Sequence, residues 1–217
     1  MRIKTGTLVR PLSQAVLCVA LLSSLSGCVA VMAAGALGTA VAGADRRTLG
    51  TQTEDEGIEI KAAPRVRSVV GDAGHVNVTS YDRKVLLTGE VRDEAMKRAV
   101  EAEVRGVSNV ENVMNELEIA GPSSYTSRSS DALITSKVKI SLADKKTVSA
   151  SSFKVVTESG TVYLMGLVTQ REGNIAANVA QGVSGVMKVV KMFEYIAEED
   201  PRAVQPEQNP APVRSGS

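Results

Sequence analysis

Two thiols and one imidazole are the scarcest reactive groups in this chain: Cys18, Cys28 and His75. A lone histidine excludes a multi-His metal centre and a two-histidine catalytic pair. A serine triad would need His75 as its base, and no Gly-x-Ser-x-Gly elbow surrounds any serine. Carboxylates pair at Asp93-Glu94 and at Glu101/Glu103. A solvated helix face accounts for those spacings more simply than general acid and base work does. No Gly-x-Gly-x-x-Gly or Walker pattern follows a strand, so no phosphate loop is expected. His75 precedes a strand with no cysteine or second histidine nearby, which gives it a surface or turn role. The expectation is a chain with no catalytic residue, no metal site and no cofactor.

Composition points the same way. The 217 residues hold 25 Lys and Arg against 24 Asp and Glu, with no Trp, two Phe and four Tyr. So few aromatic rings cannot line a cofactor cleft or stack single-stranded nucleic acid, and basic residues without aromatic interleaving leave no nucleic-acid footprint. A binding or structural protein is favoured over an enzyme.

Both cysteines lie near the start, so no disulfide framework exists downstream. Arg2, Lys4 and Arg10 precede an apolar run from Leu12 to Leu25, which is the order of a secretory signal peptide over residues 1–27. Leu25-Ser26-Gly27-Cys28 then resembles the bacterial lipobox. That resemblance implies a diacylglycerol on the Cys28 thiol and a fatty acyl group, palmitate for example, on its amine. Each buried methylene contributes about 0.8 kcal/mol, so two or three chains would hold the protein on a membrane. A second reading is an uncleaved spanning helix, because Pro11 to Ala44 carries no charge. Against it, Val29 to Ala44 is rich in Ala and Gly and suits a pliable tether, which with Cys28 makes residues 28–44 a lipidated linker. Val29 rather than Asp after the cysteine resembles the sorting choice of outer-membrane lipoproteins that face the periplasm.

The elements behind these residues repeat. Val76 to Val91 aligns without a gap on Phe153 to Val168, superposing Val85 on Val162, Leu87 on Leu164 and Gly89 on Gly166. Gly106-Val107-Ser108-Asn109-Val110 then meets Gly182-Val183-Ser184-Gly185-Val186. Alternating segments predict hairpins over 76–91 and 153–168, turning at Tyr81-Asp82-Arg83 and Ser159-Gly160. Met96, Val100 and Val104, and likewise Ile175, Val179 and Val183, predict a helix in each copy, the second opened by the capping box Thr169 to Glu172. Closing strands run through Val113, Leu117 and Ile119, and through Val189, Phe193 and Tyr195. A leading helix is clear from Asp131 to Leu142; its counterpart around 58–70 contains Pro64 and is expected to start near it. The fold class is α+β, two tandem αββαβ units, each a small mixed sheet packed on two helices. Their bounds are 45–120 and 128–197, with a linker at 121–127 and a Pro-rich disordered tail at 198–217. Gly89 and Gly166 are read as structural, marking a bulge or a close backbone approach.

The pattern Val-x-Leu-x-Gly-x-Val, a helix, then Gly-Val-x-x-Val resembles the BON domain. Asp45 to Gln52, just after the tether, resembles the start of the dual-BON outer-membrane lipoproteins, the DolP-like group related to osmotically induced OsmY. The resemblance implies no enzymatic activity, phospholipid binding, support of outer-membrane integrity and, in some members, recruitment to the division site.

Charge separates the copies. Residues 45–120 carry eleven basic against fifteen acidic residues, and 128–196 carry nine against five. On the helix from Asp131, Ile134, Val138 and Leu142 share a core-facing stripe, while Leu133 and Ile140 point elsewhere with Lys137 between them and that stripe. With Lys145 and Lys146 beyond the helix, this pair would suit the anionic phospholipid of the outer membrane's inner leaflet, where each basic residue is worth about 1 kcal/mol. Equally, Leu133 and Ile140 could pack against the first unit. A protein partner in envelope assembly or cell-wall machinery, met by the acidic first unit or the tail, is the alternative function.

Overall fold

The computed structural model describes residues 45–200. Cys28, the signal segment, the tether and the chain beyond 200 lie outside the described residues. Two αββαβ repeats follow one another. The first comprises α1 (Leu49–Val70), β1 (His75–Tyr81), β2 (Lys84–Val91), α2 (Glu94–Arg105), β3 (Asn112–Asn115) and the short β4 (Glu118–Ile119). The second comprises α3 (Tyr125–Asp144), a 3₁₀ turn at Ala150–Ser152, β5 (Phe153–Glu158), β6 (Thr161–Thr169), α4 (Gln170–Gln181) and β7 (Lys188–Ile196). In each sheet a central strand pairs antiparallel with the strand before it and parallel with the strand after the helix.

Both leading helices are longer than the apolar spacing predicts. The first starts at Leu49 rather than near Pro64 and runs straight through the proline. Thr48 caps it through the Thr51 N–H, and buried Asp55, Ile58 and Ala62 hold the turns before Pro64 in place. The second starts at Tyr125, inside the expected linker, because the Ser124 hydroxyl caps it through the Ser127 N–H. Polar first turns carry no apolar period, so only the caps announce them.

Both hairpins turn through two residues of positive φ, Asp82 (51°) with Arg83 (60°) and Ser159 (47°) with Gly160 (74°). This is the geometry that matches strand twist in a two-residue hairpin. Each turn is held by an aspartate of the leading helix. Asp55 accepts the N–H groups of Asp82 and Arg83, both at 2.8 Å, and the Ser80 hydroxyl at 2.6 Å. Asp131 accepts those of Ser159 and Gly160 at 3.0 and 2.9 Å.

Alternation along the central strands separates the cores. Val85, Leu87 and Val91 join Ile58, Ala62, Val66, Val100 and Val104 beneath the first pair of helices. Val162, Leu164 and Val168 join Ile134, Val138, Leu142, Ala176 and Ala180 beneath the second. In α4 the buried line is Gly173, Ala176 and Ala180, with Ile175, Val179 and Val183 only partly buried at its flank, a rotation from the predicted stripe. Small residues let this helix sit close: a Cβ on Gly173 would lie 2.9 Å from the Phe193 ring. Ile119 and Tyr195, expected on the closing strands, stand 56% and 48% exposed at their ends.

The opposite faces of the two sheets meet. Tyr81 and Leu86 from the first repeat pack with Tyr163, Met165 and Leu167 from the second, edged by Val156, Val190, Met192 and Ile196. Polar contacts fasten the seam. Arg46, ahead of α1, reaches the second repeat and forms two 2.8 Å bonds to Glu172 and one of 3.0 Å to the Leu167 carbonyl. Lys154 donates to Glu59 and to the Ser80 carbonyl, and Asn77 to Glu158. All described residues therefore belong to one compact unit.

Candidate functional site: the outward face of the second leading helix

The residues of α3 divide by direction. Ile134, Val138 and Leu142 point into the second core and Asp131 turns inward to its hairpin. Leu133 and Ile140 stand 63% and 62% exposed, so packing on the first repeat is not their role. Seven residues apart, they fall within about 20° of each other and about 10 Å apart along the axis, on the side away from Val138. Tyr125, 84% exposed at the start of the helix, extends this face, with the Arg128 guanidinium 4.5 Å from its ring centre. Nothing in the apolar spacing marks Tyr125, since the sequence reading placed it in the linker.

The charges are uneven as well. Lys137 and Lys139 flank the apolar pair, Lys145 caps the C-terminus through its backbone, and Lys146 follows; all four are exposed. None forms an ion pair with a described residue. The helix opposes them with one exposed carboxylate, Asp144, because Asp131 is buried. The face thus presents apolar side chains about 10 Å apart within a net positive field. Chemically it can enter a headgroup layer and attract its anions; no nucleophile or proton carrier is positioned there.

Gly89 and Gly166 have a backbone role. A Cβ on Gly89, whose φ is 114°, would lie 2.1 Å from the His75 carbonyl oxygen, and one on Gly166 2.6 Å from that of Ser152. These are equivalent contacts, each between the central strand and the start of its antiparallel neighbour. The imidazole of His75 sits 3.3 Å from the Asn77 amide and takes no metal-binding company. Among the described residues no group of three or more His, Cys, Asp or Glu could hold a metal, and no helix is long and apolar enough to cross a membrane.

Arg46 and Glu172 were not singled out by sequence reading, although they form the most buried ion pair, each side chain 2% exposed. Burial alone would raise the Glu172 carboxyl; hydrogen bonds from Arg46 and the Thr169 backbone, with the Arg46 charge, hold it below the usual carboxylate range. The capping box Thr169–Glu172 hinted at an ordinary helix start, and its second, long-range duty has no local signal.

Two αββαβ units with a mixed sheet, a turn-capping aspartate and a close-approach glycine in each define a tandem-repeat α+β fold. Matching the BON domain over residues 61–121 and 130–197, the chain belongs to the BON-domain family. It is 38% identical over 174 residues to the outer membrane lipoprotein DolP of Haemophilus influenzae, covering 79% of this chain and 90% of that protein. It is 31% identical over 154 residues to the 21 kDa hemolysin of Actinobacillus pleuropneumoniae, covering 70% and 79%. The osmotically-inducible protein Y of Escherichia coli matches at 29% over 52% of this chain and 58% of its own length. The chain is thereby placed among the outer-membrane lipoproteins of this family.

Proposed function

We propose that this protein is a non-enzymatic lipoprotein, anchored through acylated Cys28, that docks on anionic phospholipid through α3 and so supports outer-membrane integrity. The observation that carries the reading is the outward pair Leu133 and Ile140 among four lysines that no described carboxylate pairs. Apolar side chains contribute by leaving water at the headgroup boundary, and each lysine adds about 1 kcal/mol near an anionic surface. Such a patch orients a protein already held by acyl chains rather than anchoring it. Relatives described as an outer membrane lipoprotein and as a hemolysin support a membrane-directed role. Division-site recruitment belongs to the same proposal and follows if the docked lipid is concentrated there.

Flotation of the chain from residue 45 onward with anionic and with neutral vesicles tests this directly. Binding that needs anionic lipid, fades with salt, and is lost in Leu133→Glu with Lys137→Glu is the expected result. Equal flotation with neutral vesicles, or none at all, would remove the docking surface and make a protein partner of the envelope machinery the leading function.

A further inference from the structure

Among the described strands at sheet edges, β3 and β4 are short, β5 carries Lys154, and β7 carries Lys188 and Lys191. Short length and lysine are devices that keep an edge from recruiting another strand. β1 has neither: its middle, Val76-Asn77-Val78-Thr79, holds no charge and no proline. In an antiparallel pair, alternate residues point both backbone groups at the partner or both away from it. Ser80 points away, since its N–H donates to Glu59 at 2.8 Å and its carbonyl accepts from Lys154 at 3.0 Å. Val76 and Val78, of the same parity, therefore turn their N–H and C=O groups outward as well, and no hydrogen bond to a described residue uses them.

A groove of about 460 Å³ runs along this edge, with Glu59, Ala63, Val66 and Arg67 on the α1 side and Val76 and Val78 on the β1 side. From Glu59 to Arg67 the helix rises about 12 Å, and from Ser80 to Val76 the strand spans about 13 Å, which is room for about four extended residues. Val66 already belongs to the core, but Ala63 is exposed and Val76 and Val78 are only half-buried. The second repeat is fuller at this place. Phe153 stands where the first repeat has Val76, and Leu142 stands the same distance beyond its turn-capping aspartate as Val66 does; both are buried. Charge is one-sided at the open end. Glu59 is engaged by Lys154 at 2.8 Å, while Arg67 is exposed and has no ion pair with a described residue.

We propose that this groove takes an extended segment of another polypeptide as a strand added to β1, with a Leu- or Phe-sized side chain against Ala63, Val76 and Val78 and a carboxylate on the same face of the segment beside Arg67. Outward N–H and C=O groups at two-residue spacing select a peptide backbone over an acyl chain, which can satisfy neither. The site is independent of the α3 face and of its lipid.

The test uses the full anchored chain in detergent micelles with two acetylated, amidated peptides, Ser-Thr-Phe-Thr-Glu-Ser and Ser-Glu-Thr-Phe-Thr-Ser, which offer both strand directions. Amide hydrogen exchange locates the probe, and the anisotropy of a fluorescein-labelled copy gives its affinity. Saturating probe should slow exchange at Val76 and Val78 and leave β5 and β7 unchanged. Replacing Phe by Ala in the probe should weaken binding about tenfold or more. N-methylation along one edge of the probe should abolish binding, and along the other edge should leave it intact. Arg67→Glu, at an exposed side chain, should transfer the preference to a probe with Lys in place of Glu, an outcome that a folding defect would not produce. Val66→Leu with Val76→Phe, the residue types of the second repeat, should close the groove. Leu133→Glu with Lys137→Glu should change nothing, which separates this site from the docking face. Absence of binding by both probes, indifference to N-methylation, or protection at another edge would overturn the proposal. So would slow exchange at Val76 and Val78 without any probe: if dilution released it, the occupant would be a second copy, and if it persisted, a segment of the chain's own outside residues 45–200.

Discussion

At the scale of single residues, Arg46 carries more than its exposed neighbours do. Its guanidinium has left water, and two carboxylate bonds with one carbonyl bond satisfy its two terminal nitrogens, while the buried Nε finds no partner among the described residues. Removing one partner leaves the other charge buried and unpaired, which typically costs about 3–5 kcal/mol. Arg46→Met should therefore lower the urea midpoint sharply, and a loss below about 1 kcal/mol would show that the pair is solvated in solution. The pH dependence has a definite sign. Glu172 is held below its ordinary carboxylate value in the folded chain, so its contribution is complete above about pH 4.3 and is lost as pH falls through the folded value. Wild type should lose stability in that acid window more steeply than Arg46→Met does, which urea titrations at stepped pH would read. Arg46 lay in a segment whose resemblance was legible; its partner 126 residues away was not.

Among the elements, the repeat allows the same experiment to be done twice in one molecule. Gly89 has both a positive φ and a backbone oxygen in the way, whereas Gly166 has only the close oxygen. Gly89→Ala should cost more than about 2 kcal/mol, adding backbone strain to a steric clash, and Gly166→Ala should cost less. Thermal denaturation of the two variants would rank them, and the reverse order would contradict the contact geometry. Pro64 offers the opposite sign. It occupies an exposed position well inside α1, where its missing N–H and ring clash oppose a helix that caps and burial sustain. Pro64→Ala should raise stability by about 1–3 kcal/mol, and no gain would contradict the cost assigned to the missing N–H and the ring. The strands, the inner helices and both turns were readable from alternation and turn residues. The first turns of α1 and α3 were not, because hydroxyl caps and buried aspartates leave no hydrophobic period.

For the molecule as a whole, the second repeat has an apolar sheet face that only the first repeat covers. Tyr163, Met165 and Leu167 are each 5% exposed or less, and they are buried by another repeat rather than by their own helices. Burial by the sheet seam also pushes the Tyr81 and Tyr163 phenols up to about 12, so both remain neutral there. The two repeats should consequently unfold in a single calorimetric transition, with calorimetric and van't Hoff enthalpies in agreement. Two resolved transitions would show that the seam is a contact between independent domains.

Period-two alternation and 3.6-residue spacing determine which residues each strand and helix buries, because those patterns are local consequences of backbone geometry. The order αββαβ, its duplication, the close-approach glycines and the surplus of lysines on the second copy were therefore present in the chain before any folding was considered. Which faces meet is decided only in three dimensions. A sheet face and a helix face can be equally apolar in sequence, and Leu133 and Ile140 looked as fit for the seam as Met165 and Leu167. The tertiary structure gives the seam to the sheets, leaving the helix pair in solvent, because complementary surface and a distant Arg46–Glu172 bond exist for one pairing and not for the other.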